Sequence, residues 1–105
     1  MKIATRSDIE DFVDEVRNKV DTDVERTVLY GSYARDEHDT GSDIDIALIV
    51  KGEADSDVLF KIVDRFRRQR SLAFSPQVFQ EEVYRSRLES GASFYKNIEE
   101  EGVEI

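Results

Sequence analysis

Two aspartates separated by one residue, Asp43-Ile44-Asp45, stand eleven positions after the serine of a Gly31-Ser32 pair. On a strand, residues two apart point to one face, with backbones roughly 6–7 Å apart. Two ionised carboxylates held that way repel each other. A divalent cation between them removes the cost, and hard oxygen ligands suit Mg²⁺ or Mn²⁺. Gly31-Ser32 falls where a strand ends and a short helix is expected to begin. Such a junction lets the backbone come close to a ligand and leaves N–H groups free for phosphate oxygens. The Ser32 hydroxyl adds a donor, and Arg35, one turn later, adds a charge. These are the parts required to hold a metal-complexed triphosphate and to stabilise a departing pyrophosphate.

Several elements must position these groups. Val24 to Tyr30 is β-branched and short, and reads as a strand ending at Gly31. Asp36 to Gly41 is polar without periodicity, a loop. Asp43 to Val50 alternates and then becomes almost wholly apolar, as a central strand does. Paired acids at the head of a central strand are costly without a purpose. Ahead of these strands, Ser7-Asp8-Ile9-Glu10 has capping-box spacing, and Ile9, Phe12, Val13, Val16 and Val20 form a helical stripe behind it. A second amphipathic helix is expected from about Asp55 to Arg70, acidic at its start and rich in arginine at its end, as the helix dipole prefers. Leu72 to Phe79 reads as a third strand, placed at an edge or bulge by Pro76. Two short helices, Gln80 to Leu88 and Ser93 to Glu100, flank Gly91, and Val103 to Ile105 is either a terminal strand or a frayed end. The order predicts one mixed α/β (α+β) domain over residues 1–105, with a small mixed sheet, helices on one face and the metal site on the other.

Composition narrows the partners. With 24 acidic against 15 basic residues the net charge is -9, which disfavours nonspecific binding to nucleic acid. The acidity fits a halophilic cytoplasm or a basic protein partner, and both readings stay open. Without cysteine, and with His38 as the single histidine, neither a disulfide framework nor multi-histidine zinc chemistry is available. No stretch suits a signal peptide or a membrane span, so a cytoplasmic location is expected. At 105 residues the core is modest, so a partner or a second copy in a homo-oligomer would add stability by covering surface.

Some residues carry two readings. Arg35 suits phosphate, the motif loop, or a loop acid such as Asp36 or Asp39. Tyr33 suits base stacking or packing. His38 reads as solvated, and the arginines from Arg65 to Arg70 read as a charge complement to the helix terminus.

The string Tyr30-Gly31-Ser32-Tyr33-Ala34-Arg35, followed by Gly41-Ser42-Asp43-Ile44-Asp45-Ile46, resembles the signature of polymerase-β-type nucleotidyltransferases. It is most similar to their compact prokaryotic branch, the minimal nucleotidyltransferases. Phe94-Tyr95-Lys96-Asn97-Ile98 with Glu101-Gly102 is similar to the end of many such domains. The resemblance implies a metal-dependent transferase that passes a nucleotide from ATP or another nucleoside triphosphate to a hydroxyl. It implies Asp43 and Asp45 as catalytic metal ligands, and Gly31, Ser32, Arg35 and Ser42 as the nucleotide-binding set. It also implies a HEPN-type helical partner protein, as in toxin–antitoxin pairs. One departure matters: active members commonly carry a third carboxylate on the next strand, where alignment puts Gln77. A neutral amide neither takes a proton from a hydroxyl nor neutralises a second metal. A non-catalytic module of the same fold that binds a partner is therefore the alternative expectation.

Overall fold

The computed structural model describes residues 3–105. Its elements run α1 (Arg6–Lys19), β1 (Val24–Tyr30), β2 (Ile44–Val50), α2 (Ser56–Arg70), β3 (Phe74–Gln80), α3 (Glu81–Glu89), α4 (Ser93–Glu101) and β4 (Val103–Glu104). The four strands form one mixed sheet in the order β3-β2-β1-β4. β1 and β2 are antiparallel and joined by the loop that carries the motif. β2 and β3 are parallel, and α2 makes the crossover that a parallel pair requires.

The first helix starts earlier than the Ser7 capping box would place it. Thr5 is the N-cap: its hydroxyl accepts from the Asp8 backbone N–H at 3.1 Å, while the Asp8 carboxylate accepts from the Thr5 N–H at 2.9 Å. Thr5-x-x-Asp8 has the same spacing as Ser7-x-x-Glu10, and the earlier box draws Ser7 into the helix. Asp55 caps α2 by accepting from the N–H groups of Asp57 and Val58.

Alternation along β2 divides the core. Ile44, Ile46, Leu48 and Val50 face α1 and α2, where Phe12 stacks on Phe74 with centroids 4.0 Å apart and Phe66 meets both edge-on at 5.4 Å. Ala47 and Ile49 face the other way and pack with Val28, Tyr84 of α3 and Ile98 of α4. The mixed sheet is as expected, but the helices are not confined to one face. α3 and α4 are nine residues each and bury only Tyr84 and Ile98, too little pattern to announce a second layer in the sequence.

Pro76 lies on an edge strand, as its missing N–H requires. The Ala73 carbonyl accepts from Ile44 N–H at 2.8 Å, so alternate β3 residues from Ala73 turn their backbones to β2 and Pro76 turns to the open edge. The terminal residues Val103 and Glu104 pair with Leu29 and Val28. Three of the four arginines of α2 bind acids. Arg65 pairs with Glu15 at 2.7 Å, Arg68 with Asp64 at 2.9 Å, and Arg70 with Asp11 at 2.8 Å and Asp8 at 3.2 Å. An open groove of about 560 Å³ between α1 and α2 is lined by these paired charges, away from the motif.

Candidate active site

The motif begins where β1 stops. Gly31 has φ +72°, a left-handed conformation open to glycine at little cost, and it turns the chain off the sheet. Gly31 is constrained sterically as well: a Cβ there would overlap the Asp45 carboxylate. The short helix expected after Ser32 is a single turn instead. Arg35 N–H donates to the Gly31 carbonyl at 3.2 Å and Glu37 N–H to the Ser32 carbonyl at 2.9 Å, after which Asp36, at φ +58°, breaks the helical path. Among the described residues, nothing engages the Ser32 hydroxyl.

Ser42 does engage its surroundings. Its hydroxyl accepts from Asp39 N–H at 3.0 Å and donates to the Asp39 carboxylate at 3.3 Å, which in turn accepts from Gly41 N–H at 2.9 Å. The Ser42 side chain thus closes the loop that delivers the chain to β2.

Asp43 is exposed just before β2, and Asp45 is half-buried within it. Asp45 lies on the sheet face of Ala47 and Ile49, opposite α1 and α2, flanked by Tyr30 on β1 and Ser75 on β3. Burial raises its pKa above the ordinary carboxylate value, the charge of Asp43 raises it further, and Arg35 opposes both. Burial, then Asp45, raises the Tyr30 phenol likewise. Positive charge beside Asp45 would oppose both effects, as Arg35 does. Mg²⁺ is commonly held by one or two carboxylates plus substrate phosphates, and this two-aspartate set fits such a site. Among the described residues no group of three or more acidic, histidine or cysteine side chains is arranged to hold a metal ion.

Gln77 lies on the same sheet face, but Ser75 is the β3 residue in register with Asp45; Gln77 sits opposite Ala47 and is exposed. Glu81 and Glu82 cannot supply the missing carboxylate from this fold. β3 runs parallel to β2 and pairs Gln80 with Val50, so both acids begin about 16 Å along the strand from Asp45. Glu81 is bound to Arg85 at 2.6 Å.

Arg35 pairs with Glu37 at 3.6 Å and with Glu101 of α4 at 3.5 Å, rather than with Asp36 or Asp39. Tyr33 is packing: its ring is buried and stacked on His38 at 3.9 Å, and its hydroxyl accepts from Ala4 N–H at 3.0 Å. His38 is half-buried rather than solvated, because the loop folds it onto that ring.

Sequence reasoning gave α4 no role at the site. Phe94, Asn97, Ile98 and Glu101 line a cleft of about 220 Å³ against Tyr30, Gly31 and Arg35. Their helical spacing was the available signal. What they face is decided by tertiary packing.

The family model described as Polymerase beta, Nucleotidyltransferase matches residues 13–105. Two proteins of Methanocaldococcus jannaschii, each named a "putative protein adenylyltransferase", are 29% identical over 90% of this chain and 90% of their own, and 26% identical over 92% and 94%. No solved structure matches the chain significantly. No helix among the described residues is long and apolar enough to cross a membrane.

Proposed function

This chain belongs to the polymerase-β nucleotidyltransferase family, and we propose that it binds ATP with Mg²⁺ or Mn²⁺ and transfers the adenylyl group to a hydroxyl on a partner protein. The observation that carries the reading is the fit of Gly31 around Asp45: the phosphate-binding turn and the second aspartate are in contact, with no room for a side chain between them. The names of the two relatives favour adenylyl transfer to protein. The partner we propose is the HEPN-type helical protein that the resemblance to minimal nucleotidyltransferases suggests, a basic surface of which would complement a net charge of -9.

Asp43 and Asp45 would hold the metal, which when bound draws charge from the triphosphate and the departing pyrophosphate. Backbone N–H groups after Gly31 and the free Ser32 hydroxyl bind phosphate oxygens. Arg35, tethered between Glu37 and Glu101, reaches the same space with its positive charge. Ser42 acts by fixing the loop between the two halves of the motif. The acceptor oxygen attacks the α-phosphorus as the bond to the bridging oxygen breaks, pyrophosphate leaves with that electron pair, and the acceptor proton passes to water.

The two-carboxylate set favours a second reading, in which the fold binds nucleotide or partner without turnover. Calorimetric titration of ATP, with and without Mg²⁺, into wild type and Asp45→Asn tests the first. Mg²⁺-dependent binding that disappears in a folded Asp45→Asn protein is expected. Equal binding by the two proteins would remove the metal assignment. ATP binding without label transfer from α-labelled ATP to co-purifying protein would select the second reading.

A further inference from the structure

The tail motif Phe94-Tyr95-Lys96-Asn97-Ile98 has no part in the scheme above, where Glu101 alone of α4 enters as a tether for Arg35, yet α4 turns one face of it toward the phosphate-binding turn. Phe94 is 44% exposed and meets Tyr30 edge-on with centroids 5.9 Å apart. One turn along, Asn97 is exposed, and no described residue hydrogen-bonds its amide. The cleft between this face and Tyr30, Gly31 and Arg35 holds about 220 Å³. Pockets for whole ligands start at about 300 Å³, so this one takes part of a nucleotide.

Charge decides which part. The triphosphate belongs with the metal at Asp43 and Asp45 and with the N–H groups after Gly31. Glu101 on the α4 side pairs with Arg35 at 3.5 Å and offsets its charge there, so that side offers phosphate no net attraction and is left to the uncharged end of the ligand. Resting on the nucleotide-binding reading above, we propose that the cleft is the nucleobase site, with Phe94 as its stacking surface and Asn97 as the residue that selects adenine. An asparagine amide donates and accepts at once, which matches the N7 acceptor and N6 donor of adenine. The same edge of guanine offers two acceptors and leaves the amide carbonyl without a donor.

The test titrates ATP, GTP and inorganic tripolyphosphate, all with Mg²⁺, into wild type, Phe94→Ala and Asn97→Ala, with thermal melts to establish folding. Wild type should bind ATP about 5- to 100-fold more tightly than GTP, the range of one bidentate base contact. Phe94→Ala should weaken ATP by about 5- to 100-fold, as loss of one base stack does, and leave tripolyphosphate unchanged. Asn97→Ala should abolish the ATP-over-GTP preference, because a methyl group neither donates to N7 nor accepts from N6. Wild-type ATP affinity in both variants, or ATP bound no more tightly than tripolyphosphate, overturns the base site while leaving the Asp45→Asn result intact. Slower transfer by Phe94→Ala at unchanged ATP affinity also overturns it, and gives the cleft to the acceptor. A wild type that binds neither ATP nor tripolyphosphate overturns the base site and the nucleotide-binding reading together.

Discussion

Replacing Gly31 by alanine tests the central contact of the site, because the chain contains its own control. Gly31 and Gly91 both adopt left-handed backbone, at φ +72° and +82°. An alanine at either position bears the same conformational penalty, about 1–2 kcal/mol. Their surroundings differ: a Cβ at Gly91 meets nothing within 4 Å, whereas one at Gly31 overlaps the Asp45 carboxylate. Asp45 sits on a central strand between Tyr30 and Ser75, so it yields by leaving its rotamer, at a further cost of about 0.5–1.5 kcal/mol. Gly91→Ala should therefore lose about 1–2 kcal/mol and Gly31→Ala about 1.5–3.5 kcal/mol, with each kcal/mol lowering Tm by roughly 4–8 °C in a domain of this size. Urea unfolding of both variants, repeated in an Asp45→Ala background, separates the two costs. Without the carboxylate the excess at Gly31 should vanish, leaving the two glycines equivalent. Gly31→Ala no more destabilised than Gly91→Ala in the wild-type background would refute the contact, and with it the geometric argument for the site.

Two further predictions concern the layers on either side of the sheet. Phe12, fully buried and in contact with both Phe66 and Phe74, should cost about 3–5 kcal/mol on truncation to alanine, a large share of the stability of any small domain; a urea midpoint shifted by less than 1 kcal/mol would contradict that packing. Glu99 accepts from Arg26 at 2.6 Å and from the Tyr84 hydroxyl at 2.8 Å, and the Arg26 bond holds its pKa below the ordinary 4.5 despite partial burial. Because the folded pKa is the lower one, the stabilisation is complete above pH 4.5 and is lost as pH falls below it. With both side chains about a third exposed, solvent screening limits Glu99→Gln to a loss of about 1 kcal/mol at pH 7. That deficit should shrink toward zero on acidification, and a constant deficit across the acid limb of the stability curve would refute the linkage.

What could be read in advance follows the reach of each signal. The expectation that Asp43 and Asp45 share a face rests on strand periodicity, although β2 begins at Ile44 and leaves Asp43 in the loop, and the apolar run Ala47–Val50 marks the strand as central without reference to any other segment. The demand for glycine at position 31 was legible as a turn, but its second cause, the Asp45 carboxylate, arises only when β1 and β2 pair. Tyr33 kept both a stacking and a packing reading, and His38 read as solvated, because a polar loop hides its own folding; they stack on each other and tie the loop to Ala4. The second helical layer was illegible for a related reason. Tyr84 and Ile98 are single buried residues on short helices, and their common target, Val28, Ala47 and Ile49, is assembled from two strands.

The cleft beside Gly31 shows why that second layer bears on function. At nine residues, α4 is too short to be helical alone, so its position must be imposed from outside. Ile98 anchors its underside, while Glu99 reaches Arg26 on β1 and the hydroxyl of Tyr84 on α3. Arg26 also holds Glu104, which pairs within β4 across from Val28. These contacts fix α4 against the strand that ends in Tyr30 and Gly31, so the wall bearing Phe94 and Asn97 is set by the strand that presents the phosphate-binding turn. Phe12, Phe66 and Phe74 work on the opposite face and hold the sheet against α1 and α2. The face with less buried apolar surface carries the motif, and polar ties supply the orientation that packing there does not.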